Sequence, residues 1–180
     1  VAASAAFETA GGNFKNGSYG AGWGATVGKM LGPDRCSKSG IASYAVALGD
    51  LKVGAIVCTN AVGDIYDVEN GKRISGVRSE DGKSLNEVSC EDLMYNLYTN
   101  PPAGMATNTT IGIVFTNAKF NKTQLCKLAG MTHDAYARCI RPVHTSMDGD
   151  SIYAMSLGDV TAPLDLVGTL ANKVMCEAIA

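Results

Sequence analysis

Two apolar runs separated by only two residues constrain the fold of this chain most strongly. Ile41–Leu48 and residues 51–59 are rich in apolar side chains and flank the dipeptide Gly49-Asp50. A link of this length and type predicts a tight β-hairpin, because glycine adopts the backbone angles that such a turn requires. A further run of β-branched and apolar residues over 110–116 predicts a buried strand. We therefore expect a β-sheet at the centre of the molecule.

Capping signals predict helices on either side of the 110–116 strand. Asn121 and Gln124 form a capping-box pattern, which predicts a helix from that point to about Ile140. Ser89 is the expected N-cap of a short helix that ends near residue 98.

Two further elements complete the pattern. Residues 151–157 read as another strand, and a last helix should begin near Pro163 with Thr161 or Ala162 as its cap. The segment 64–88 is polar and rich in turn residues, and we expect it to lie exposed on the surface. Strands and helices in this order predict an α+β fold in which helices pack on sheet layers.

Composition excludes several classes of protein. The chain has 180 residues, of which 46% are hydrophobic, so we expect one domain with a buried core and exclude intrinsic disorder. The net charge is −2, whereas a nucleic-acid-binding surface needs clustered positive charge. No apolar run approaches the roughly 18 residues of a membrane span. Only 18% of the residues are charged, and we therefore expect other subunits to cover part of the surface.

The six cysteines are scattered along the chain without any C-x-x-C pair. Most of them lie in apolar stretches, where cysteine behaves as a small buried hydrophobic side chain. We expect reduced thiols and hence a reducing compartment, the cytoplasm.

Two apparent ligand motifs are discounted. The segment GAGWGA at 20–25 satisfies a loose dinucleotide-binding pattern, but no apolar strand precedes it and no clear helix follows. His133 and His144 have no third ligand at metal spacing, and we interpret both as structural histidines. We expect neither a metal nor a cofactor.

The segment around Thr109 could carry chemistry. A proline-containing loop over 99–107 leads into Asn108-Thr109, and the predicted strand follows at once. Attack of the Thr109 hydroxyl on the Asn108 carbonyl would cut the chain and make Thr109 a new N-terminus. Its hydroxyl would then be a nucleophile and its α-amine a general base, because free α-amines titrate near roughly pH 7.7–8.0. A threonine at a strand start is also ordinary and assigns no role by itself.

Four other polar residues could serve such a site. Asp148 and Asp150 precede a predicted strand and could face one cavity, although D-G-D is also a common turn. Asn60, at the end of the second hairpin strand, offers an amide donor for an oxyanion. Lys29 adds a positive charge from the glycine-rich segment. No spacing rule joins these residues.

Four sequence blocks occur in one order, namely GATVGK at 24–29, NAVGD at 60–64, NTTIGIVFTNA at 108–118 and RPVHTSMDGD at 141–150. Together they resemble the self-processing N-terminal-nucleophile hydrolases of the DmpA-type aminopeptidase family, peptidase family S58. The resemblance covers the chain from about Gly11 to its end. It implies a four-layer αββα sandwich and hydrolysis of amide bonds in small peptides or peptide-like oligomers.

The resemblance also implies roles for individual residues. Thr109 aligns with the nucleophile, Asn60 with the asparagine on the oxyanion side, and Lys29 with the lysine of the catalytic group. Asp148 and Asp150 match the acidic pair of the nylon-oligomer branch of the family, where the aminopeptidase branch has Ser and Glu.

Cleavage between Asn108 and Thr109 would divide the chain into two polypeptides. Residues 1–108 would be the C-terminal part of an α polypeptide and residues 109–180 the β polypeptide. Family members form homo-oligomers, commonly tetramers, and are longer at the N-terminus. The chain is therefore expected to lack the first part of the α polypeptide, which would be one of its partners beside a small peptide-like substrate.

Two other functions stay open at this point. The chain could be a catalytically silent domain of this fold that binds a small molecule or assembles with partners. It could also transfer an acyl group to an amine, as the similarly folded ornithine acetyltransferases do.

Overall fold

The computed structural model describes residues 14–96 and 108–180. Its strands are β1 (Thr26–Val27), β2 (Ser37–Lys38), β3 (Ile41–Leu48), β4 (Leu51–Cys58), β5 (Asp64–Tyr66), β6 (Arg73–Ser75), β7 (Ile111–Ala118), β8 (Ile140–Arg141) and β9 (Ser151–Val160). Its helices are α1 (Cys90–Tyr95), α2 (Lys122–Cys139) and α3 (Leu164–Ile179). The end of the α1 prediction at residue 98 and the loop expected over 99–107 lie outside the described residues.

A four-stranded sheet with the order β3-β4-β7-β9 forms the centre of the structure. β3 and β4 are the predicted hairpin: Leu48 pairs with Leu51 across the turn, in which Gly49 has a φ of 58°. β7 pairs antiparallel with β4 and parallel with β9. The hairpin and the two later strands are confirmed, and β7 and β9 extend slightly further than predicted, to Ala118 and Val160.

The helices begin close to the predicted capping residues. Asn121 and Gln124 form the reciprocal capping box of α2, and the Ser89 side chain accepts a hydrogen bond from the backbone N–H of Asp92 in α1. The predicted cap of α3 at Thr161 or Ala162 is wrong, because Pro163 is the N-cap and makes no side-chain cap bond. Proline suits this position, since its ring fixes φ at a value that leads into a helix.

Both long helices pack on one face of the sheet, α3 on β3 and β4 and α2 on β9. The side chains of this face alternate along the strands and form the buried core with α3, among them Val53, Ala55, Val57 and Val114. Gly112 of β7 lets α2 come close, because a Cβ there would lie 2.5 Å from the hydroxyl oxygen of Tyr136.

The opposite face of the same sheet is exposed. Ile111, Tyr153 and Leu157 expose 48%, 61% and 64% of their surfaces, and no element within residues 14–96 and 108–180 covers them. The described residues therefore form a helix layer and the adjoining sheet of an α+β sandwich, and the predicted fold class is confirmed. An apolar surface of this kind is typical of a face that packs against another layer.

A three-stranded sheet, β6-β5-β8, brings part of the 64–88 segment back onto the core. The prediction that this segment is exposed is wrong for Asp64, Ile65 and Val77, which are buried. The Asp64 carboxylate accepts hydrogen bonds from the backbone N–H groups of Val77 at 2.8 Å and Cys90 at 2.7 Å, and it pairs with Arg73 at 3.2 Å. These contacts hold Val77 and the start of α1 against β5, the first strand of the segment.

All six cysteines are free thiols. Cys90, Cys139 and Cys176 are buried as predicted, and burial raises the pKa of Cys90 out of the physiological range. Cys126 is exposed, so the expectation of burial is wrong for this residue, which lies on the solvent side of α2.

We expect Asp64→Ala to destabilise the protein by about 3–5 kcal/mol, because it leaves a largely buried arginine without its charge partner. Two backbone N–H groups would also lose their acceptor. Urea-induced unfolding measures the change. Asp159→Ala is the matched control, since Asp159 pairs with Lys119 on the surface, where its side chain is 90% exposed. An equal, small loss in both variants would contradict the role given to Asp64.

Candidate active site

Thr109 lies just before β7, and its two polar groups are both fixed. Its backbone N–H donates to the carbonyl oxygen of Asn60 at 3.1 Å. Its hydroxyl donates to the carbonyl oxygen of the preceding residue, Asn108, at 2.5 Å. The same carbonyl oxygen accepts the N–H of Gly149 at 2.8 Å. The hydroxyl therefore lies against a peptide group whose carbonyl is polarised by two donors.

Gly149 makes the space in which this hydroxyl lies. A Cβ built on Gly149 would be 2.8 Å from Oγ1 of Thr109, closer than such carbon atoms approach their neighbours in proteins. Asn108 and Asp148 form a parallel bridge, and the backbone N–H of Ser151 donates to the Thr110 carbonyl oxygen at 3.0 Å. The parallel pairing of β7 and β9 thus continues upstream of both strands. The sequence analysis included Gly149 only as the middle residue of a D-G-D turn and missed this contact.

Asn60 and Lys29 form the next part of the site. The Lys29 ammonium donates to Oδ1 of Asn60 at 2.7 Å and to its backbone oxygen at 3.1 Å. The backbone N–H of Thr26, in β1, also donates to Oδ1, at 3.1 Å. Because Oδ1 is occupied by two donors, the amide nitrogen Nδ2 is the Asn60 group that can donate to a ligand.

The glycine-rich segment holds Lys29 through its backbone. The N–H groups of Gly28 and Lys29 donate to the carbonyl oxygens of Gly63 and Val62, both at 2.9 Å. Gly28 has a φ of 73°, and a Cβ there would lie 2.0 Å from backbone atoms of Gly76 and Val77. Only glycine fits this position, for steric reasons as well as conformational ones.

Burial lowers the pKa of Lys29, and the acidic groups of Cys36 and Asp148 act in the opposite direction. A lysine with a lowered pKa gives up its proton more readily than an exposed one. Lys29 can therefore orient Asn60 through its hydrogen bonds, and its own charge can change the pKa of titratable groups close to it.

Asp148 and Asp150 anchor the loop beside Thr109. Asp148 accepts hydrogen bonds from the Thr145 hydroxyl at 2.6 Å and from the Thr145 N–H at 3.2 Å. Its other oxygen lies 3.4 Å from the backbone nitrogen of Val62. Asp150 accepts the N–H of Thr110 at 2.8 Å. The backbone nitrogen of Thr109 is held by the carbonyl oxygen of Asn60 instead.

A pocket of about 420 Å³ opens beside Thr109 and Asn60. Apart from these two residues its lining is apolar or small, and the other lining residues are Ala21, Gly24, Ala25, Ile41, Ile56, Cys58, Ile111 and Ile113. A reacting group could reach the Thr109 hydroxyl with Asn60 at its side, while an aliphatic chain fills the rest of the pocket.

The five residues predicted for the site, Lys29, Asn60, Thr109, Asp148 and Asp150, meet at one edge of the central sheet. Sequence reasoning missed Gly149 and also His144, which it took as structural although it lies inside one of the four sequence blocks. His144 Nδ1 is 2.9 Å from Oδ2 of Asp150.

The structure also shows the geometry of the motifs that the sequence analysis discounted. The GAGWGA segment contains a 3₁₀ turn at Gly20–Gly22 and not the strand-turn-helix unit of a dinucleotide site. Within residues 14–96 and 108–180, no group of three or more histidine, cysteine or acidic side chains is arranged to hold a metal ion. In that same part of the chain, no helix combines the length and apolar character needed to cross a membrane.

The fold has counterparts among solved structures. An L-aminopeptidase D-Ala-esterase/amidase from Ochrobactrum anthropi, with an Ntn-hydrolase fold, superposes with a TM-score of 0.62 at 18% identity. The match covers 94% of this chain and 45% of that one. A β-aminopeptidase from Burkholderia sp. superposes with a TM-score of 0.54 at 17% identity, over 92% of this chain and 45% of the other.

Sequence comparison identifies nearer relatives. A 6-aminohexanoate-oligomer endohydrolase from Kocuria sp. is 31% identical over 187 aligned residues, which cover 93% of this chain and 50% of the relative. An uncharacterized aminopeptidase from Mycobacterium leprae is 36% identical over 146 residues, which cover 81% of this chain and 38% of the relative. The chain thus spans about half the length of the first of these relatives. The family model for peptidase family S58 matches residues 1–180, and the chain belongs to that family.

Proposed function

We propose that this chain carries the catalytic centre of an amidohydrolase that cuts itself between Asn108 and Thr109 and then uses Thr109 as an N-terminal nucleophile. The observation that carries the proposal is the 2.5 Å contact between the Thr109 hydroxyl and the Asn108 carbonyl oxygen. The names of the relatives, an oligomer endohydrolase and an aminopeptidase, support an amide bond as the bond that is cut.

Self-cleavage would begin with attack of the Thr109 hydroxyl oxygen on the Asn108 carbonyl carbon. The hydroxyl proton passes to the Thr109 nitrogen as the peptide C–N bond breaks, and an ester forms between Asn108 and Thr109. The Gly149 N–H, 2.8 Å from the carbonyl oxygen, is positioned to stabilise the negative charge that develops there. Water then hydrolyses the ester and leaves the Asn108 carboxylate and a free Thr109 amine.

Hydrolysis of a substrate would use the same hydroxyl. The Thr109 amine accepts the hydroxyl proton, and the oxygen attacks the substrate carbonyl while Asn60 Nδ2 donates to the oxyanion. The departing amine takes up the proton, and water releases the acyl group from Thr109. The Asn60 carbonyl oxygen, which holds the Thr109 nitrogen at 3.1 Å in the intact chain, is placed to orient the new amine.

Small peptides or peptide-like oligomers are the proposed substrates. The pocket next to Thr109 is lined by aliphatic side chains, including Ile56 and Ile113, and the described residues place no charged side chain in its lining. Such a lining favours an acyl group with an apolar chain. A linear 6-aminohexanoate oligomer is one suitable probe, since it presents methylene segments between amide bonds.

We further propose that residues 1–108 and 109–180 become α and β polypeptides of one fold. A preceding part of the α polypeptide would cover the open face of the sheet, where Tyr153 and Leu157 are exposed. A homo-oligomer, of tetramer size, and a cytoplasmic location belong to the same proposal. The free thiols support a reducing compartment.

Intact mass spectrometry of the purified protein tests the central step. We expect a C-terminal piece that begins at Thr109 and ends at Ala180. Thr109→Ala should abolish both cleavage and hydrolysis, because it removes the nucleophile, and Thr109→Ser should retain part of each. A single uncleaved species after prolonged incubation would contradict the proposal and favour a catalytically silent binding domain.

Gly149→Ala should slow self-cleavage strongly, because the added methyl group would lie 2.8 Å from the attacking oxygen. Displacement of a reacting atom by about 1 Å can cost on the order of 100-fold in rate. The fraction of cleaved chain over time measures the effect. Gly130→Ala in α2 is the matched control, since a Cβ at Gly130 meets nothing within 4 Å. Normal cleavage in both variants would show that Gly149 has no part in the step.

Asn60→Asp should lower kcat by at least roughly 10²–10³, which is the usual effect of losing one oxyanion donor. The aspartate keeps the acceptor oxygen for Lys29 and Thr26, but it replaces the Nδ2 donor with a negatively charged acceptor that also repels the oxyanion. KM should change much less, since the lost bond strengthens only as charge develops. Steady-state kinetics on pre-cleaved protein separate the two constants. A normal kcat with a raised KM would mean that Asn60 binds substrate instead.

A further inference from the structure

A row of three side chains leads from α2 to the residue that follows the nucleophile. Nδ1 of His133 lies 3.2 Å from Nε2 of His144, and Nδ1 of His144 lies 2.9 Å from Oδ2 of Asp150. The other carboxylate oxygen of Asp150 accepts the N–H of Thr110 at 2.8 Å. The Asp150 carboxylate therefore links the His144 ring to the backbone N–H of Thr110, the residue directly after Thr109.

The surroundings of His144 fix its ring. Its φ of 55° lies in the left-handed region, which histidine, asparagine and aspartate tolerate better than most side chains. The ring centres of His133 and Tyr136 lie 4.9 Å and 5.9 Å from that of His144. Tyr136 is itself fully buried, so α2 supplies a rigid support.

Asp150 depends on this neighbour because it is buried. Its side chain is only 2% exposed, whereas that of His144 is 39% exposed. A buried carboxylate needs donors for both oxygens, and leaving one without a partner is costly. The Thr110 N–H serves one oxygen and the His144 ring serves the other, with the backbone N–H of His144 a weaker contact at 3.4 Å.

We infer that His144 is a positioning residue for the reaction of Thr109. A carboxylate only accepts, so the imidazole donates through Nδ1 and holds Asp150 in the orientation that binds the Thr110 N–H. Loss of the donor lets the carboxylate turn away, and the start of β7, with the nucleophile, shifts. His144 itself contacts none of the reacting atoms. The inference rests on the proposed function of Thr109.

A matched pair of variants tests this role. His144→Asn places an amide N–H near the position of Nδ1, whereas His144→Asp has the same shape and only accepts. Both residues tolerate a positive φ. We expect the Asn variant to keep a kcat close to that of wild type. The Asp variant should lose about tenfold to about 100-fold in kcat, with little change in KM, because the nucleophile is misplaced.

The assay uses purified protein with linear 6-aminohexanoate oligomers and with p-nitroanilides of L-, D- and β-amino acids, after intact mass has established cleavage. Wild-type protein that is uncleaved and inactive overturns the proposed function and the inference with it. Active wild type with equal kcat in the Asn and Asp variants, at matched melting temperatures, overturns the inference alone.

A third variant decides the question if the Asp variant does not fold. His144→Gly removes the ring without adding a charge and accepts the positive φ. Its kcat should fall, and imidazole added to the buffer should restore it, since the site is partly open to solvent. A low kcat that imidazole leaves unchanged would mean that the ring only fills space, which overturns the inference.

Discussion

Four hydrogen bonds converge on the two oxygen atoms of Asn60, and the geometry of the candidate active site depends on them. Thr26 and Lys29 donate to the side-chain oxygen, and Lys29 and Thr109 donate to the backbone oxygen. The donors come from the glycine-rich segment and from the start of β7, which are distant in sequence. A group held by so many donors does not reorient when charge develops next to it, which is the property that the oxyanion role proposed for Asn60 requires.

The sheet determines where these parts meet. β4 runs toward Asn60, whereas β7 and β9 run away from Thr109 and Asp150, and Ile111 is paired with both Cys58 and Ser151. One edge of the sheet therefore collects the end of β4 and the beginnings of β7 and β9. The parallel pairing matters most, because it brings the loop 148–150 alongside Thr109 although α2 lies between them in the chain.

Two glycines keep this edge compact. Gly28 lets the Lys29 segment lie against the backbone of Gly76, and Gly149 leaves room for the Thr109 hydroxyl. A methyl group at Gly28 would displace the backbone of Gly76 and Val77, and one at Gly149 would displace the Thr109 hydroxyl. Two carboxylates also hold chain segments in place. Asp64 binds the backbone N–H groups of Val77 and Cys90, and Asp150 binds the N–H of Thr110 just before β7.

The sequence by itself determined the elements whose signals are local. The Gly49-Asp50 turn, the capping box at Asn121 and the apolar run before Ala118 each depend on neighbouring residues, so hairpin, helix and strand follow from short-range chemistry. The same holds for the candidate nucleophile, since Asn108-Thr109 stands directly before a buried strand. Only the order of four sequence blocks connected Lys29, Asn60 and the two aspartates to it.

The tertiary structure alone decided which atoms of those residues meet. No pattern shows that Asn60 offers its backbone oxygen to Thr109, that Asp64 is buried, or that Asp150 faces Thr110 and His144 and not the Thr109 nitrogen. These contacts join residues far apart in the chain. Their geometry is set by strand register and by the approach of backbones at glycines, neither of which leaves a periodic signal in the sequence.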